Sequence, residues 1–142
     1  MRKSGIINGE IMGVLAGLCH GDRVVISDAG LPIPEGVKCV DLALINGIPG
    51  FLDTLKAVVN EAIFEKIVIF ELMKDHNPEK YKIVTEMFEK QEKVLYGPEE
   101  LMEEAKQAKL IIRTAEFTPC CNVVLYSASG VAEMCAPFDI TV

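Results

Sequence analysis

"LIIRTAEFTPCCNVVLYSA", residues 110–128, contains two apolar segments, Leu110–Glu116 and Asn122–Ala128, joined by "FTPCC". Both read as strands, being short, β-branched and bounded by turn residues. A helical crossover between parallel strands needs about a dozen residues or more. The joint is too short for that, so the two strands run in opposite directions, and the spacing predicts an antiparallel hairpin. Upstream, strands alternate with helices, the pattern of a parallel sheet. "RVVIS" (23–27), "VKCVDLAL" (37–44), "KIVIFELM" (66–73) and "EKVLYG" (92–97) are the other strand candidates. Asn8 can cap a first helix that carries Ile11, Val14, Leu15 and Leu18 on one face, with Gly21 as its C-terminal stop. "FLDTLKAVVNEA" (51–62) has Leu52, Leu55, Val58 and Val59 at helical spacing. Helices beginning at Asn77 and at Pro98 each carry proline in the first turn, where its missing N–H costs nothing. The expected fold is therefore α/β, with helices on both faces of a mixed, mostly parallel sheet.

A chain of 142 residues fits one domain and can bury a core without disulfides or metal. Half the residues are hydrophobic, so the chain is globular rather than disordered. A formal net charge of −7 argues against nucleic acid and anionic membranes as partners, because both need clustered Lys and Arg. No apolar run is long enough to span a membrane, and the first residues lack the apolar core of a signal peptide. The five cysteines are Cys19, Cys39, Cys120, Cys121 and Cys135. They form neither a CxxC nor a zinc spacing, so no metal site is expected, and their odd number suits reduced thiols in the cytoplasm.

"LCHGDRVVISDAGLPIPEG", residues 18–36, brackets a strand with His20 and Asp28. A histidine at a helix C-terminus is favoured as the imidazolium and can exchange protons near neutral pH. Asp28 follows a parallel strand, and in open α/β sheets ligands bind beyond such strand ends. If helix and strand are adjacent, both residues face one crevice. The structural alternatives are a histidine that bonds free helix carbonyls and an Asx turn at Asp28. Glu71 lies in the crevice at a strand end or is paired with a buried partner. His76 precedes a polar helix and is expected at the surface. Cys120 and Cys121 point to opposite faces if extended and are not a redox pair. Nucleotide-binding glycine patterns are absent.

"SGIINGEI", "CHGDRVVISDAGLPIPEGV", "VDLALINGIPGFLDTL", "HNPE" and "IIRTAEFTPCCNVVL" together resemble the RbsD/FucU family. The likeness runs in order from Lys3 to Val131 and leaves residues 132–142 as a C-terminal extension. It implies a three-layer α/β/α fold, ring-like decamers, and monosaccharide sites at subunit interfaces. It also implies a cofactor-free interconversion of the cyclic forms of ribose, fucose or a similar sugar. The residue matching His20 is the family's proton donor, and those matching Asp28 and Asn122 hold the sugar. Pro98, Cys120 and Cys121 fall at further substrate-contacting positions. Three family groups are replaced: Pro98 stands for a histidine, Met102 for a lysine and Cys120 for a tyrosine. Tyr96, Glu116 or Tyr126 are candidates to stand in. Two readings stay open, a sugar pyranase or mutarotase and a binding-only oligomer of the same fold. A cysteine-dependent activity at Cys120 and Cys121 is a third, and it would need a lowered thiol pKa.

Overall fold

The computed structural model describes residues 2–130 and 140–141; most of the 132–142 extension lies outside the described residues. Strands β1 (Arg23–Ser27), β2 (Cys39–Asp41), β3 (Phe64–Phe70), β4 (Glu92–Tyr96), β5 (Leu110–Arg113) and β6 (Val123–Ser127) form one sheet in the order β2-β5-β1-β6-β3-β4. β6 is antiparallel to both its neighbours, β1 and β3, and the remaining pairs are parallel. The sheet is thus mixed and mostly parallel, as expected. The predicted hairpin is not present. β5 and β6 do run in opposite directions, but β1 lies between them and pairs with both. Residues 114–122 step over the end of β1 instead of folding back.

Helices α1 (Gly9–Leu15), α2 (Phe51–Glu61), α3 (Met73–His76) and α4 (Pro78–Met87) bring their apolar residues to one face of the sheet, and α5 (Pro98–Lys106) covers the other. β1 shows why both faces must be covered. Val24 and Ile26 enter the larger core with Leu55, Val58 and Phe64, while Val25 points to the smaller one with Leu101 and Ala105. A strand buried on both faces reads as a continuous apolar run, which "RVVIS" is. Asn8 caps α1 by accepting the backbone N–H groups of Glu10 and Ile11.

Several boundaries differ from expectation: β2, expected over 37–44, spans only Cys39–Asp41, and β5, expected over Leu110–Glu116, ends at Arg113. α1 stops at Leu15, before Gly17, so His20 lies in a turn beyond it rather than at its C-terminus. Gly21 takes a positive φ of 80° in that turn, not as a helix cap. β3 ends at Phe70, not Met73: the Glu71 N–H makes a last bond to the Tyr96 carbonyl of β4, and the chain then turns into α3 at Met73.

Candidate functional site

The sheet places Asp28 directly after β1 and Asn122 directly before β6, and the antiparallel pairing of these strands makes them neighbours. They are 7 % and 2 % exposed. Their contact is reciprocal. Asn122 Oδ1 accepts the Asp28 N–H at 3.0 Å, and Asn122 Nδ2 donates to Asp28 Oδ2 at 3.0 Å. The Gly30 N–H donates to Asp28 Oδ1 at 3.0 Å, the Asx turn considered from the sequence. The next residues are pinned from β5, where Arg113 Nε donates to the Ala29 carbonyl and the Ala29 N–H bonds the Glu116 carbonyl. Asp28 is thereby both a structural turn residue and a fixed carboxylate.

This pair forms the polar floor of a cavity of about 330 Å³ at the C-terminal ends of the parallel strands. Its walls are Leu31 and Pro32 from the loop after β1, Phe70, Pro98 with Leu101 and Met102 of α5, and Cys120. The strand-end rule locates the cavity correctly. Pro98, Met102 and Cys120, the three positions at which the resemblance implies a changed group, all line it. Phe70 and Leu101 were missed, since both read from the sequence as plain core. Cys120 has a φ of 69°, a left-handed backbone unusual for a residue with a Cβ, at the turn that carries the chain into Asn122.

The remaining candidates fall elsewhere. Cys121 is fully buried, with its Sγ 3.2 Å from Asn77 Nδ2, and does not line the cavity. Burial pushes its thiol up to about 11. Burial, then the charge of Asp28, also raises the Cys120 thiol. Neither cysteine is an activated thiolate, which removes the support for thiol chemistry. Glu116 bonds Thr118 and faces Lys80 at 3.5 Å. Burial opposes its ionisation, but the hydrogen bonds from Thr118 and the Lys80 charge outweigh this and lower its pKa. It anchors the 114–121 segment and does not line the cavity. Tyr126 donates to Glu104 and lies under the cations of Arg23 and Lys66, at the other end of the sheet. Tyr96 packs with the smaller core. Glu71 is exposed at the end of β3, beside Gly97. His76 is exposed, as expected.

His20 does not join Asp28 within one chain. Between them runs the whole of β1, five residues, or about 17 Å at the usual rise of a strand. His20 stands at the N-terminal end of the strand with a side chain 56 % exposed, and it bonds Glu65 Oε1 through Nε2 at 2.8 Å. The shared-crevice geometry assumed α1 reaching to residue 20, which it does not. Among the described residues, no group of three or more His, Cys, Asp and Glu side chains is arranged to hold a metal ion. No helix among them is long and apolar enough to cross a membrane.

Residues 1–132 match the RbsD / FucU transport protein family. The chain belongs to this family. It is 44 % identical to a D-ribose pyranase of Geobacillus thermodenitrificans, over 89 % of this chain and 96 % of that one. It is 46 % identical to a D-ribose pyranase of Bacillus cytotoxicus, over 89 % and 97 % of the two chains. Among solved structures, Bacillus subtilis RbsD complexed with D-ribose superposes with a TM-score of 0.87 at 41 % identity, covering 90 % of this chain and 98 % of that one. The Streptococcus pneumoniae fucose mutarotase complexed with L-fucose shares the fold, with a TM-score of 0.71 at 21 % identity and coverage of 86 % and 93 %. The ribose branch is the nearer of the two.

Proposed function

We propose that the protein is a monosaccharide pyranase or mutarotase that interconverts cyclic forms of D-ribose or a related sugar by acid–base catalysis, with no cofactor called for. The Asp28–Asn122 pair on the floor of the strand-end cavity carries this reading. It stands in a chain 41 % identical to a protein solved with D-ribose. Sugar hydroxyls donate to the free lone pairs of the Asp28 carboxylate and accept the second amide hydrogen of Asn122. Charged acceptors of this kind make the stronger hydrogen bonds. Opening a hemiacetal ring needs an acid at the ring oxygen and a base at the anomeric hydroxyl, and reclosure reverses both transfers. His20 is the acid–base group.

The site is completed by a second copy of the chain, which brings its His20 to the Asp28 cavity in a ring-like decamer. Two observations support this. His20 is exposed and too far from its own Asp28. Leu44, Ile45, Ile48 and Phe117 are large apolar residues left exposed in the single chain. Pro98 and Cys120 shape the substrate site around Asn122, and Cys121, which does not line the cavity, has no direct part in it. Residues 1–131 form the working domain and 132–142 an extension. Ile140 of that extension packs on the core and exchanges hydrogen bonds with the Asn60 side chain of α2. Free thiols, one of them exposed at Cys19, suit a reducing cytoplasm.

The test is NMR magnetisation exchange among the pyranose and furanose forms of ribose, with fucose in parallel, using the wild type and His20→Ala. Exchange accelerated by the wild type and lost in the variant is expected. Saturable ribose binding without any acceleration would move the assignment to a binding-only oligomer.

A further inference from the structure

We propose that Glu65 is the positioning residue for His20: it holds the imidazole with its proton on Nε2 and so presents Nδ1 to the sugar. This rests on the acid–base role given to His20 above. Three observations carry it. First, Glu65 Oε1 is 2.8 Å from His20 Nε2. An ionised carboxylate has no proton to donate, so Nε2 must be the donor. In the neutral ring the lone pair is then on Nδ1, and in the charged ring Nδ1–H is the acid. Second, Glu65 occupies an irregularity in the sheet. Phe64 pairs with Ser127 and Lys66 with Tyr126, so Glu65 is an extra residue in β3 with no partner on β6. A bulge of this kind re-aims a side chain that regular pairing would direct elsewhere. Third, Glu65 Oε2 is buried and has no hydrogen-bond partner among the described residues. A lone unsatisfied carboxylate oxygen costs stability, a cost that a role in holding the His20 ring accounts for.

The turn that holds His20 is itself fixed. The Gly21 N–H bonds the Ser127 carbonyl, the Ser127 N–H bonds the Asp22 carbonyl, and Asp22 Oδ2 accepts the Cys19 N–H. Both backbone and ring are therefore set before any sugar arrives. The charged groups around this turn are Glu65 from β3, Asp22 within it, and Lys109, whose Nζ is 3.9 Å from Asp22. Glu65 alone of these contacts the ring.

The experiment combines Glu65→Gln with the nitrogen spectrum of the His20 ring in the unaltered full chain. A carboxamide accepts from one tautomer and donates to the other, so it no longer selects. In Glu65→Gln the ribose exchange rate is expected to fall by about tenfold or more, with KM little changed. A lowered rate with KM unchanged is a split that a merely structural role would not produce. In the wild type the ring spectrum should show the Nε2-protonated tautomer. A ribose exchange rate unchanged in Glu65→Gln, or a neutral wild-type ring protonated on Nδ1, overturns the assignment while leaving His20 as the acid–base group. A His20→Ala variant as fast as wild type removes the acid–base role itself. Should Glu65→Gln not fold, the tautomer measurement decides alone.

Discussion

The two ends of β1 solve different problems with polar residues. At its C-terminal end Asp28 and Asn122 are buried and satisfy each other and the neighbouring backbone inside one chain. At its N-terminal end His20 is exposed, and its carboxylate partner keeps one oxygen unsatisfied. The first pair is part of the fold as well as of the cavity. The second pair is held by the fold but contributes little to it. Stability and activity should therefore separate when the two ends are altered in turn.

The largest effect is expected from Asn122→Ala. It strands the Asp28 N–H and removes one donor to the carboxylate, both in a buried place. Urea denaturation should show a loss of about 2–4 kcal/mol, since each stranded group costs about 1–3. Calorimetry should show ribose binding gone. His20→Ala should lower sugar exchange by about a hundredfold or more. Its unfolding free energy should stay within about 0.5 kcal/mol of wild type, as for exposed substitutions generally. Equal destabilisation by the two variants would break the comparison. Mixing unfolded His20→Ala and Asp28→Asn chains and refolding them together sharpens it. If the two ends meet across an interface, about a quarter of the sites recover both intact halves, and exchange returns to that level. A mixture as inactive as its components would put both groups in one subunit.

The smallest effect lies at Glu116. Its folded pKa is lowered, so it contributes stability above its ordinary value of 4.5, and that stability is lost as pH falls through the lower folded value. Acid denaturation of Glu116→Gln should therefore be flatter than wild type below about pH 4.5, with the two curves parallel above it.

What the sequence made legible follows the range of each interaction. "RVVIS" declares burial on both faces through its own residues, and Asn8 declares a cap through its own side chain. The reversal between β5 and β6 is also local, because a short joint forces it. The insertion of β1 between them is not local. It depends on pairings more than 80 residues apart, such as Val24 with Leu110, which no spacing in the chain encodes. The end of α1 was misread for the opposite reason. Leu18 continues the apolar face, and it does pack on the core, but from the turn that follows the helix. Asp28 was legible from its place after a strand, whereas Asn122, Pro98 and Cys120 were singled out through the resemblance; all four line the cavity. Glu65 gave no signal, since it precedes the stretch 66–73 that reads as a strand, and the irregularity that turns it is set by the pairing with β6.

β6 has a further consequence for how the molecule is made. The sheet consists of two parallel groups, β2-β5-β1 and β3-β4, and β6 is the strand that joins them. Among the described residues it is also the last strand in chain order. Until β6 has been made, the inner edges of β1 and β3 have no strand to pair with, and Asp28 has no Asn122 to meet. A chain cut short before β6 would lose not a peripheral strand but the seam of the domain, and the floor of the strand-end cavity would come into being only as that seam closed.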